Sequence, residues 1–164
     1  MSLYELWAVK AINDRLASDL AAKLDWVEGQ WSGFSSGELG DQDKITLAFV
    51  PTANDPGPVI EIYDDASFFQ EEDGGQRNRV CFVDCTIAIK YSGVTDLEVN
   101  EEFMRGYVAA VREAIESNHT LATSPVVLAW CTDADRSYPL VDEATTRHVR
   151  AVGVRCQVFY PTES

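Results

Sequence analysis

The stretch RNRVCFVDCTIAIKY, residues 77–91, constrains the fold more than any other part of the chain. Val80, Val83, Thr86, Ile87 and Ile89 are β-branched, and Phe82 and Tyr91 are aromatic, so the local preference is for an extended chain. Side chains alternate between the two faces of a strand. Cys81, Val83, Cys85, Ile87, Ile89 and Tyr91 therefore share one apolar face, with Asp84, Thr86 and Lys90 on the other.

The same geometry decides what the two cysteines do. Four residues of strand separate Cys81 and Cys85 by about 13 Å, whereas a disulfide tolerates Cα separations of only about 7 Å. Two thiolates on one zinc are equally excluded, although a helix would have stacked them on one face. They read as small apolar core residues. Cys131 and Cys156 could approach one another on adjacent strands, but free thiols are expected, as suits a reducing cytoplasm.

Upstream, Ser2 and Glu5 have capping-box spacing, and Leu6, Val9, Leu16, Leu20, Leu24 and Val27 recur at helical intervals. An amphipathic helix is predicted over about 3–27. Gly29, Gly33, Gly37 and Gly40 then predict a flexible surface connection carrying Trp31 and Phe34, which either anchor a partner or fold back onto the core. ITLAFV (45–50), closed by Pro51, and VIEIY (59–63) read as two strands of a hairpin with a long loop.

Residues 64–79 are expected to break the regular structure. Glu61, Asp64, Asp65, Glu71, Glu72 and Asp73 make this region acidic, but it lacks the D-x-[DN]-x-[DN]-G spacing of a calcium loop, so no metal is expected. Phe68 and Phe69, adjacent aromatics in a charged loop, are expected at a subunit interface, as Trp31 and Phe34 are if they meet a partner.

A second helix is predicted over 97–117, with Met104, Tyr107, Val108, Val111 and Ile115 inward and Glu101, Glu102, Arg105, Arg112 and Glu116 outward. VVLAWC after Pro125 and HVRAVGVRCQVFY (148–160) complete the strands. In the last, Val152, Val154, Cys156, Val158 and Tyr160 share a face, while Arg155 and Gln157 point to solvent or to an assembly surface. The order predicts an α+β fold, a single domain over 1–164. Its mixed or antiparallel sheet of about five strands, lying with the second helix between about 45 and 160, packs against two main helices.

Composition narrows the function. A formal charge of −14 argues against a phosphate-binding surface built from Lys and Arg. The start, MSLYELWAVK, lacks the pattern of a secretory signal, so the Asn118-His119-Thr120 sequon reads as accidental. No apolar run approaches the roughly 20 residues of a membrane span. His119 and His148 stand in no motif supplying a nucleophile or an orienting acid, and Asp133-Ala134-Asp135 reads as a turn. No catalytic residue, cofactor or metal is expected.

The opening AINDRLASDLAAKLDW, the RNRVCFVDCTIAIKY strand leading into the FMRGYVAAVREAIES helix, and the closing RHVRAVGVRCQVFY together resemble the tail-terminator proteins of long-tailed bacteriophages. That resemblance implies a hexameric ring that caps the tail tube, stops its polymerisation and offers the surface joining tail to head, with no catalysis. Its implied partners are copies of itself, the tail tube protein and the head-tail connector or neck proteins, with DNA passing through unbound. Its implied location is the virion, at the head-tail interface, after synthesis in the host cytoplasm. The acidic insertion 64–79 and the glycine-rich segment 28–40 map to no family feature. A head-tail connector or stopper, also a small ring-forming α+β protein, is the alternative reading. A cytoplasmic enzyme or small-molecule-binding protein is a further one, and it would need a deep pocket near His119, His148 or Asp133.

Overall fold

The computed structural model describes residues 3–39, 46–48, 58–71, 78–91, 97–120, 126–133, 140–142 and 147–161. The elements are α1 (Leu3–Gln30), β1 (Thr46–Ala48), β2 (Val59–Glu71), β3 (Asn78–Tyr91), α2 (Leu97–Glu116), β4 (Val126–Asp133), β5 (Leu140–Asp142) and β6 (Arg147–Pro161). The fold is α+β, as expected, with one sheet ordered β1-β2-β3-β6-β4. β6 pairs with β3 along its whole length, so β4 and β5 share its other side, β5 at residues 147–149 and β4 further along.

Both helices pack on one face of this sheet. The predicted alternation of β3 sends Cys81, Val83, Cys85, Ile87 and Ile89 into the core, where Val152, Val154, Cys156 and Val158 of β6 join them. From α1 come Val9, Ile12, Leu16, Leu20, Leu24 and Val27; from α2 come Met104, Tyr107, Val108, Val111 and Ile115. Each such aliphatic side chain contributes about 1.5–3 kcal/mol on full burial. All four cysteines are free. Cys131 faces Val154 while Ala129 faces Cys156, so the second possible pair is out of register.

The structure departs from the sequence-based expectations in four places. First, β1 and β2 are not a hairpin: Thr46 faces Val59 and Ala48 faces Glu61, a parallel pairing. A three-residue strand is short enough, about 7 Å end to end, for the connection to return the chain to its starting edge. Second, Asp64–Glu71 is no loop but the continuation of β2, paired with β3 as far as Arg79. Residues 72–77 of the acidic insertion lie outside the described residues.

Third, α1 runs beyond residue 27 to Gln30, and Leu6 leaves the predicted buried stripe to stand at 46% exposure. Fourth, β5 carries no alternation long enough to announce it. The second helix and the strands beginning at 126 and 147 lie where the pattern predicts them, to within a few residues.

Candidate functional site

The glycine-rich segment after α1 is anchored by a charge. Glu28, buried near the end of the helix, accepts a hydrogen bond from the Gly37 amide at 2.7 Å and another from the Leu39 amide at 2.9 Å. Gly37 sits at φ 80°, a left-handed conformation that glycine adopts without penalty. Leu39 is buried, and its carbonyl accepts from the Tyr107 hydroxyl at 3.0 Å. The expected flexible connection is thus tied to α1 through the Gly37 and Leu39 amides and to α2 through the Leu39 carbonyl.

Replacing Glu28 with alanine should leave the buried Leu39 amide without a partner and cost about 2 kcal/mol in urea denaturation. A cost below half of that would mean that the carboxylate does not hold the segment.

Held in this way, the segment forms one wall of an apolar groove of about 460 Å³ lined by Trp26, Val27, Trp31, Phe34, Gly106 and Ala109, with Gln30, Glu102 and Arg105 at its edges. Phe34 stacks on Phe103, ring centres 6.2 Å apart. Gly106 lets the segment pack closely: a Cβ there would lie 3.0 Å from Leu39 Cδ2 and 3.1 Å from Phe34 Cζ, so both side chains would have to shift by a few tenths of an ångström to admit it. Trp31 remains 54% exposed. Of the two expected contact residues, Phe34 therefore folds back and Trp31 faces outward, and both line one concavity.

Phe68 and Phe69 do not act as a pair. A bulge between Asp64 and Ala66 shifts the phase of β2, so Phe68 faces Phe82 on the helix-free side and Phe69 faces Cys81 on the helix side. Phe69 meets Tyr4 edge-on at 5.3 Å, Tyr4 meets Trp7 at 5.6 Å, and Ser67 donates to Glu5 at 2.7 Å. Leu3 and Leu6 on the first turn of α1 are exposed, as is Phe69 near the end of β2.

On the opposite side of the sheet, Phe68 stacks on Phe82 at 5.3 Å, and Phe82 meets Trp130 at 6.4 Å. The Arg155 guanidinium lies 5.1 Å from the Phe68 ring centre and forks onto Asp84, at 2.7 and 3.0 Å. Arg155, one of the two residues expected to point away from the core, thus organises an aromatic platform. Cross-strand neighbours alone could have suggested this cluster, because Phe82, Asp84 and Arg155 have the correct parity.

The residues considered for chemistry stand on separate elements. His119 is exposed, with Nδ1 3.0 Å from the Ala129 carbonyl and Nε2 3.6 Å from Glu116. His148 and Asp133 lie in β6 and β4, with side chains outside the described residues. Among the described residues no group of three His, Cys, Asp or Glu side chains could hold a metal ion, and no helix is long and apolar enough to cross a membrane.

No known protein family and no curated protein matches the chain. Among solved structures, it is similar to a chain in the virion of a native gene transfer agent (GTA) particle. The TM-score is 0.58 and the identity 17%, covering 96% of this chain and 97% of that chain. At that identity the likeness is one of fold, and it extends over nearly the whole length of both.

Proposed function

We propose that this chain is a structural virion protein of the tail-terminator type, a ring subunit that closes the growing tail tube and presents the surface on which the head is joined. The observation that carries the reading is the fold likeness, over almost the entire chain, to a component of a virion particle. The resemblance of the α1, β3–α2 and β6 segments to tail terminators points the same way. Exposed apolar surfaces on three sides of the subunit fit a protein that meets neighbours in several directions at once. A formal charge of −14 suits a channel that DNA must traverse without being gripped, because like charges repel the phosphate backbone.

Removing the coding sequence from the genetic element that carries it, and imaging the resulting particles by negative stain, tests the proposal. Tails longer than normal are expected. Tails of ordinary length that remain unattached to heads would exclude a terminator and favour a neck stopper. Complete particles of normal appearance would overturn the structural role altogether.

A further inference from the structure

A sheet edge without a neighbour offers a row of backbone amides and carbonyls to any extended chain. This sheet closes most of its edges from within. On the outer side of β4, the Ala129 amide donates to the His119 carbonyl at 2.8 Å, the Cys131 amide donates to Glu116 at 2.6 Å, and Leu128 bridges to Thr120. β4 and β5 cover β6, and β1 covers β2 at Val59–Glu61. Among the described residues, nothing covers the outer side of β2 from Ala66 to Glu71.

That stretch is regular. Beyond the Asp64/Ala66 bulge it pairs with β3 without a break, from Ala66 facing Asp84 to Glu71 facing Arg79. In an antiparallel ladder every second residue turns its amide and carbonyl away from its partner, so about three residues of the stretch present both groups outward. Asp65, Ala66, Ser67, Phe68 and Phe69 are exposed in succession, Phe68 to 43% and Phe69 to 50%.

The edge also selects its occupant. Its sequence, DDASFFQEED over 64–73, sets an apolar centre between two acidic ends. Antiparallel pairing of two copies about Phe68 and Phe69 would set Asp64 against Asp73 and Asp65 against Glu72, and parallel pairing in register would set each carboxylate against its own counterpart. Like charges directly opposite one another destabilise a ladder. The described strands that carry lysine or arginine, β3 and β6, already have neighbours on both sides.

We infer that the Ala66–Glu71 edge of β2 accepts an added β-strand from another protein, an extended segment with an apolar centre and lysine or arginine at both ends. The added backbone extends the sheet, and its side chains fall alternately beside Phe68 on the helix-free face and Phe69 on the helix face. The inference stands on the sheet edge alone and holds whether or not the chain terminates a tail.

The test titrates the full chain with short synthetic peptides of alternating valine and threonine carrying two lysines at each end, and follows fluorescence anisotropy of the labelled peptide and amide hydrogen exchange of the protein. The lysine-ended peptide is expected to bind at least about tenfold more tightly than one ending in glutamates, and at least about tenfold more tightly than one of the same charge with proline at its centre. It should slow exchange within Ala66–Glu71 at least about tenfold. Asp65→Asn with Glu71→Gln should weaken the lysine-ended peptide and strengthen the glutamate-ended one. No binding at about 1 mM lysine-ended peptide would overturn the inference. So would equal binding of the proline peptide, which would mean attraction by charge alone, or protection confined to the groove of Trp31 and Phe34. Strong protection of Ala66–Glu71 in the chain by itself would show an edge already taken, and would overturn it too.

Discussion

Replacing Lys90 with methionine is expected to destabilise the fold by about 3 kcal/mol, whereas replacing Glu61 and Lys90 together with leucine and methionine should cost less than about 1 kcal/mol. Glu61 is fully buried on β2, and its carboxylate lies 2.8 Å from the Lys90 ammonium on β3 while also accepting from the Tyr63 hydroxyl. The register explains the encounter: Glu61 faces Ala88 and Val59 faces Lys90, which makes Glu61 and Lys90 diagonal neighbours on one side of the sheet. Removing the ammonium leaves the fully buried carboxylate without its Lys90 counter-charge. Removing both charges also removes the penalty of having desolvated them. Urea denaturation of the two variants decides the matter, and equal losses would show that the pair does not act as a unit.

The second large effect is expected at alkaline pH. The Cys85 thiol is held well above its ordinary value of 9.0, first by its hydrogen bond with Cys156 and then by burial. Burial, with help from Glu116, pushes Cys131 up to about 12. Burial likewise raises Tyr107 and Tyr91. In each case the folded chain keeps a proton that the unfolded chain releases more readily. The stability linked to these groups is fully present below their ordinary values and is lost as pH rises toward the folded ones.

The melting temperature should therefore fall steadily above about pH 9, with Cys85 alone withdrawing about 2–3 kcal/mol by pH 11. Cys85→Ala is expected to flatten this decline, whatever it costs at neutral pH through lost packing. A melting temperature level between pH 8 and pH 11 would contradict this account.

Where an element has two chemically distinct faces, its type and its buried side can be read from the residues alone. β3 alternates cleanly from Cys81 to Ile89, and α2 repeats its apolar positions every three or four residues, so both were legible in position and orientation. The second half of β2 was not. Asp65, Ala66, Ser67, Phe68 and Phe69 are exposed in succession, and a strand exposed on both sides offers no alternation to detect. Its order comes from backbone pairing with β3, which any residue with a free amide can supply.

The candidate surfaces were legible only as residues. Trp31, Phe34, Phe68 and Phe69 stood out as aromatics in polar surroundings, yet their distribution over a groove and the two faces of β2 depends on the Asp64/Ala66 bulge and on the Glu28 anchor. Leu6 gave no warning, since its spacing matches the buried stripe of α1. It is exposed because the first turn of α1 meets β2 through Tyr4 and Glu5, against Phe69 and Ser67, and Leu6 does not lie on that side of the helix.

By itself the sequence determined the α+β class, the two helices, the core faces of β3, β6 and α2, and the burial of three cysteines, because these follow from periodicities of 2.0 and 3.6 residues that the chain carries locally. Only the tertiary structure decided that β1 runs parallel to β2, that Glu61 meets Lys90, and that Leu6 is exposed at the start of α1 while Trp31, just beyond its end, lines a groove. Those outcomes depend on register, on bulge phase and on which segment ends first, all of which are set by the partner across the sheet and leave no periodic mark in the strand or helix that obeys them.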